Sequence, residues 1–153
     1  MPREFVLDVN GREERVVVEG DTPLLYVLRN ELGLTASKYG CGLEQCYACA
    51  VIVDGEVVTS CASAVELFEG KRITTLEGLG SPERLDPVQD AFLEEQAAQC
   101  GYCTSGIILG AKALLDRVPA PSDDEIKAAL GQHLCRCGSH PRVVRAVRRA
   151  ARS

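Results

Sequence analysis

A chain of 153 residues with 46% apolar residues has material for one domain or two small ones with real cores, so cysteines are not needed to replace a missing core. A net charge of −5 and a pI near 5.1 argue against nucleic acid as the main partner. The N-terminus, MPREFVLDVNGREERVVVEG, scatters charges and offers no apolar run of signal-peptide length, and no later segment approaches a membrane span, so the expectation is a soluble, cytoplasmic protein. Thiols stay reduced in that compartment, and the eight cysteines therefore point to metal ligation or redox chemistry rather than disulfides.

In chain order, FVLDV and RVVVE flank NGRE, and Asn10-Gly11 between two β-rich runs predicts a hairpin, with Phe5, Leu7 and Val9 on one buried face. Asp21 or Thr22 is placed to cap a helix with Pro23 in its first turn, continued by Leu24, Leu25, Val27, Leu28 and Leu32 and ended at Gly33. CAVIVDGEVVTSC predicts a second hairpin turning at Asp54-Gly55, and KRITTLE one more short strand. These elements suggest a small β-grasp domain over residues 1–78. The Gly/Pro/charged segment at 79–86 predicts a linker, and from 87 to 153 the pattern is helical.

Asp86-Pro87-Val88-Gln89 resembles a capping box and opens a helix to about Ala97; after CGYC, the residues Ile107, Ala111, Leu114, Leu115 and Val118 fall on one helical face until Pro119. Ser122 to Glu125 forms another capping box, starting a helix through Leu130, and Pro141 marks the start of a last helix to about Ala151. Short connections between the four predict an all-α bundle, and the chain as a whole an α+β protein.

Each half owns four cysteines. Cys41, Cys46 and Cys49 have the C-x4-C-x2-C spacing of plant-type [2Fe–2S] proteins, and the hairpin turning at Asp54-Gly55 returns Cys61 beside Cys49 as the fourth ligand. Gly40 and Gly42 let the backbone bend around inorganic sulfide and aim N–H groups at it. The second set, Cys100, Cys103, Cys135 and Cys137, lies in alternate turns of the helical half, which share one end of an up-down bundle. A structural zinc site also takes four cysteines, but zinc modules favour paired C-x2-C knuckles, and neither set has two. CGYC alone resembles a thioredoxin-like pair but lacks βαβ surroundings. His133 and His140 flank the C-R-C segment, and a capping or surface role is expected for both. Tyr47 either shields a cluster or simply packs. Arginines 142, 145, 148, 149 and 152 read equally as a surface for an acidic partner and as a solvated helix face.

Taken together, KYGCGLEQCYACAV with its later Cys61, then QCGYCTSG and LCRCGSHPR, resemble the small iron–sulfur subunit of the molybdenum hydroxylases, the xanthine dehydrogenase family. ITTLEGLG, LEEQAAQCGYC and AKALLDRVPAPSD are most similar to its nicotinate dehydrogenase and isoquinoline oxidoreductase types. The resemblance implies a ferredoxin-like domain followed by a four-helix bundle. It implies two [2Fe–2S] clusters: an outer one on Cys41, Cys46, Cys49 and Cys61, and an inner one on Cys100, Cys103, Cys135 and Cys137. Gln99 and Cys137 match the positions that contact a molybdopterin held by a separate large subunit. The implied function is electron transfer, one electron at a time, from that cofactor to a flavin-binding subunit or cytochrome c, within a complex hydroxylating an N-heterocycle such as nicotinate, or an aldehyde. The chain would have no catalytic residues of its own. A free-standing two-cluster ferredoxin and a zinc-stabilised adaptor are the alternatives. Family members often read C-G-A-C-T where this chain has Cys46-Tyr47-Ala48-Cys49-Ala50, G-T-K in place of Ala36-Ser37-Lys38, and tyrosine in place of His140; none of these removes a ligand.

Overall fold

Asn10 and Gly11 have φ of 55° and 76°, the left-handed pair a two-residue hairpin needs. They join β1 (Arg3–Val9) to β2 (Arg12–Val18), with Phe5 opposite Val16, in a computed structural model that describes residues 1–153. Phe5, Leu7 and Val9 point into the core, as their alternation predicts. Asp54 and Gly55, also left-handed, turn β3 (Val51–Val53) into β4 (Glu56–Val58). β5 (Arg72–Thr74) completes a sheet of order β2-β1-β5-β3-β4, parallel to β1 and antiparallel to β3.

α1 (Leu24–Tyr26) widens into a π-helical turn at Val27–Glu31 and lays Leu24, Val27 and Leu28 on the sheet with Val65 and Ile73. Its cap differs from expectation. Pro23 holds the N-cap position, and neither Asp21 nor Thr22 caps the helix. The reason is a pairing with the chain on either side of Cys61: the N–H groups of Leu24 and Leu25 donate to the carbonyls of Ser63 and Ser60, both at 2.9 Å, and Val65 N–H donates to the Thr22 carbonyl. Helix donors satisfied in this way need no side-chain cap.

The helical part begins with α2 (Pro87–Glu94), where Asp86 and Gln89 form the expected capping box, and which ends before Ala97 because Gln96 turns at φ 50°. α3 (Thr104–Arg117) follows, then α4 (Asp123–Leu130) behind the Ser122/Glu125 box, then α5 (His140–Ala150) with Pro141 in its first turn. Phe92, Ile107, Leu114, Ile126, Val143 and Val147 make their shared core. α3 does more than its single predicted stripe allows. Its opposite side, Leu109 and Ala113, packs on Ile52 of β3, so this helix lies between the four-helix core and the sheet. The chain is thus α+β, a mixed five-stranded sheet with five helices, none long and apolar enough to cross a membrane.

Candidate metal centres

The first cysteine set is built on the loop between α1 and β3. Arg29 clamps that loop by donating from Nη1 to the carbonyls of Thr35 at 2.6 Å and Ser37 at 2.7 Å, and Lys38 Nζ donates to those of Thr35 and Ala36. Lys38 N–H closes it on Ala48 O at 2.9 Å. Inside the loop, Cys41 Sγ accepts N–H groups from Leu43, Gln45 and Cys46 at 3.3, 3.3 and 3.4 Å, and Cys46 Sγ accepts one from Cys41 at 3.4 Å. The Leu43 and Gln45 donors hold the Cys41 thiol down at about 7. Gly42, at φ 69°, permits this winding, and a Cβ on Gly40 would lie 2.6 Å from Cys46 Sγ.

The β3–β4 hairpin brings Cys61 back beside Cys49, where both are buried against Leu25. Ser60 seals the return: its N–H donates to Cys49 Sγ at 3.3 Å and its hydroxyl to Cys49 O at 2.6 Å. Burial, reinforced by the neighbouring Cys49 thiol, pushes Cys61 up to about 11.

In the second set Cys103 immediately precedes α3 and meets Cys135 from the α4–α5 connection. Burial and that neighbour push Cys103 up to about 12. For Cys135 burial acts in the opposite sense to the net shift; the Ser139 hydroxyl, 3.3 Å from Sγ, together with the Ser139 backbone and the Cys103 thiol, holds it at about 6. Cys100, exposed, accepts the Tyr102 N–H at 3.5 Å. Cys137 is also exposed and shares a cleft of about 460 Å³ with Gln99, Ser139, Arg142 and Arg145. Gln99 and Cys137, 38 positions apart, therefore face the same space.

No three His, Cys, Asp or Glu side chains converge on one point, as a single bound ion requires. The contacts are pairwise instead: Cys41 with Cys46, Cys49 with Cys61, and Cys103 with Cys135. Two thiolates per iron is what a two-iron cluster takes from four cysteines, whereas structural zinc gathers four around one centre. The inward-aimed N–H groups suit a group that carries net negative charge on sulfur. The first donor set thus fits a [2Fe–2S] cluster in chemistry and in pairing, and the second, with one pair in contact, fits it in chemistry.

Comparison with known proteins decides the family. Residues 7–74 match the family model of the 2Fe-2S iron-sulfur cluster binding domain, and residues 75–148 that of the [2Fe-2S] binding domain. The chain is 56% identical to one of the subunits of nicotinate dehydrogenase from Pseudomonas putida, over 99% of this chain and 96% of that one. It is 46% identical to the alpha chain of isoquinoline 1-oxidoreductase from Brevundimonas diminuta, over 97% of each. This chain belongs to the [2Fe–2S] subunit family of the molybdenum hydroxylases. The structure of quinoline 2-oxidoreductase from Pseudomonas putida 86 superposes with a TM-score of 0.94 at 34% identity, over 99% of this chain and 94% of the other. Aldehyde oxidoreductase from Desulfovibrio gigas gives 0.93 at 42% identity, with 97% of this chain covering 17% of that longer one.

Within this iron–sulfur subunit the two cysteine sets are neighbours, which sequence reasoning does not reach. Cys41 and Cys46 line a largely apolar cavity of about 260 Å³ together with Cys100, Cys103 and Cys135. Three links join the loops around it. Leu134 N–H donates to Cys46 O at 3.2 Å, the Tyr102 hydroxyl donates to Tyr39 O, and Gly106 brings α3 onto the Tyr47 carbonyl, which any Cβ there would overlap. Of these only Gly106 leaves a sequence signal: glycine inside a helical pattern, repeated at Gly110, marks close approach. His133 departs from its expected surface role. It is 3% exposed, wedged with Nε2 where a Gly110 Cβ would lie 2.6 Å away and with its ring 5.1 Å from that of Tyr47. Burial first, then His140, depresses its pKa to about 4, so it packs as a neutral ring. Tyr47 is thereby a packing partner of His133, while His140 is exposed, its Nε2 3.0 Å from His133 O.

Proposed function

We propose that this chain is the electron-transfer subunit of a molybdopterin-dependent hydroxylase or dehydrogenase. It receives electrons singly from the cofactor of a large partner chain and passes them to a flavin-binding subunit or cytochrome c. The observation that carries the reading is that Cys41 and Cys46 of one quartet and Cys100, Cys103 and Cys135 of the other line one shared cavity. Cys41, Cys46, Cys49 and Cys61 hold the outer cluster; Cys100, Cys103, Cys135 and Cys137 hold the inner one. Bound there, the [2Fe–2S] clusters supply reversible one-electron storage.

The chain's own residues set the conditions for that storage. N–H groups of Leu43, Gln45 and Cys46 offset negative charge at Cys41, and Ser60 does the same at Cys49. Burial of Cys49 and Cys61 excludes water from one side of the outer site. Gln99 offers an amide, and Cys137 a sulfur, to the molybdopterin from a single cleft. The layout is a β-grasp domain over 1–78, a linker at 79–86 and a four-helix bundle over 87–153, working in the cytoplasm. Similarity to nicotinate, isoquinoline and quinoline enzymes supports an N-heterocycle as the substrate of the complex.

The test is low-temperature EPR of the dithionite-reduced, anaerobically purified protein, with iron and acid-labile sulfide assayed on the same sample. Two distinct S = 1/2 signals with matching iron and sulfide, in a preparation that brings a large molybdenum-containing chain, are expected. A colourless, zinc-containing sample would overturn the electron-transfer reading. A soluble chain that purifies alone with both clusters intact would favour a free-standing ferredoxin.

A further inference from the structure

α5 buries Val143, Ala146 and Val147 and turns its arginines to solvent. Arg142, Arg145, Arg149 and Arg152 follow one another at intervals of three, four and three, which places them on one stripe roughly 15 Å long, with Arg152 in the turn that follows α5. Only one carboxylate serves that stripe: Glu95 lies 3.5 Å from Arg145 and 3.3 Å from Arg149. Arg142 and Arg152 have no ion-pair partner, while Arg148, off the stripe, is paired with Asp123. The stripe is therefore a surplus of positive charge on a chain whose net charge is −5.

Helix electrostatics does not account for it. Cations near the C-terminus, such as Arg148 and Arg149, complement the helix dipole, but Arg142 sits in the first turn, where a carboxylate is favoured and α5 has none. Arg145 and Arg149 are like charges at i,i+4, and the single Glu95 carboxylate is shared between them. A partner bearing the opposite charge removes the Arg142 conflict and neutralises the surplus along the stripe. Arg145, Arg149 and Arg152 also line an open cleft of about 510 Å³, and Arg145 is common to this cleft and to the one holding Gln99, Cys137 and Arg142. The charged surface thus runs on directly from the surface assigned to the cofactor.

We propose that this arginine stripe docks a carboxylate-rich segment of the large molybdenum-binding chain, an inference that rests on the electron-transfer reading above. An extended acidic segment matches a stripe of this length better than a single phosphate group does, and guanidinium groups pair with carboxylates in a planar fork. Docking there presses the Gln99–Cys137 cleft against the partner and speeds encounter by charge attraction.

The test uses the purified complex. Arg142→Glu/Arg152→Glu reverses the two arginines that make no internal ion pair, and Arg12→Glu on β2 is the control. Dissociation of the two chains is followed by native mass spectrometry against salt concentration, with cluster content checked by visible absorption. The expected result is at least a tenfold weaker association at low salt for the double variant and a flattened salt dependence, with both clusters retained and the control unaffected. Unchanged affinity and salt dependence in a normally assembled complex would overturn the docking proposal alone. So would protection of the arginines from dicarbonyl modification by inorganic phosphate with no effect on association, which would mark a small-anion site. If the wild-type chain binds no molybdenum-containing chain at any salt, the electron-transfer reading fails along with it.

Discussion

At the scale of single residues, the thiols of the iron-free chain differ in acidity. Backbone N–H donors lower Cys41 and the Ser139 contacts lower Cys135, whereas burial raises Cys61 and Cys103. Cys135 is held at about 6 and Cys41 at about 7, whereas Cys61 and Cys103 are pushed to about 11 and 12. A thiol is thiolate above its pKa, and only thiolate alkylates, so at pH 7 the first pair reacts and the second does not. Iodoacetamide treatment of the iron-free chain at pH 7, mapped by mass spectrometry, should label Cys135 and Cys41 first and Cys61 and Cys103 last; uniform labelling would contradict this ordering. A second residue-scale consequence concerns Gly40. Replacing it with alanine sets a methyl 2.6 Å from Cys46 Sγ, and a sulfur held by iron has no freedom to retreat. Gly40→Ala should therefore lose the outer cluster's EPR signal and its share of iron while keeping the inner one; two intact signals would show that the loop can give way.

At the scale of elements, what is legible in the sequence is what is local. Asn10-Gly11, Asp54-Gly55 and the capping boxes at Asp86 and Ser122 each specify their turn or helix start within a few residues, and all four form as expected. The cap of α1 is not legible, because its N–H groups are satisfied by Ser60 and Ser63, 35 and 39 positions away. Nor is the second buried face of α3, since a single 3.6-residue stripe identifies only one neighbour and the sheet is the other. His133 escapes the sequence for the same reason: its burial is created by Gly110 and Tyr47, which no sequence window around it contains. Gly106 is where this helix meets the cysteine loops. Gly106→Ala forces α3 away from the Tyr47 carbonyl, an overpacking expected to cost roughly 1–3 kcal/mol. The same shift stretches the Leu134–Cys46 and Tyr102–Tyr39 hydrogen bonds, so the magnetic interaction between the two reduced clusters should weaken in EPR while both signals persist. A variant with unaltered stability and unaltered interaction would show that α3 does not set the spacing.

At the scale of the whole molecule, the cysteine spacings disclose two four-thiol sites, but not that their loops share one cavity, because that contact joins segments about 60 to 90 positions apart. The arrangement has a direction. At one end Gln99 and Cys137 open to a cleft; in the middle Cys103 meets Cys135, and Leu134 reaches Cys46; outside that shared cavity Cys49 and Cys61 are buried against Leu25. On the proposed reading, an electron entering at the cleft has Cys137 as its point of access to the inner site, and the outer site lies beyond it. Two substitutions in the assembled complex separate entry from storage. Cys137→Ala removes a ligand and the access point together, so substrate should no longer reduce either cluster at the wild-type rate, while dithionite still reduces the outer one. Gln99→Ala removes only the amide, leaves every thiol in place, and should keep both EPR signals under dithionite while slowing their appearance when substrate is the reductant. Rapid-freeze EPR after mixing with substrate measures both. If the clusters of both variants fill at wild-type rates, electrons enter elsewhere, and the cleft shared by Gln99 and Cys137 is not the cofactor-facing end of the chain.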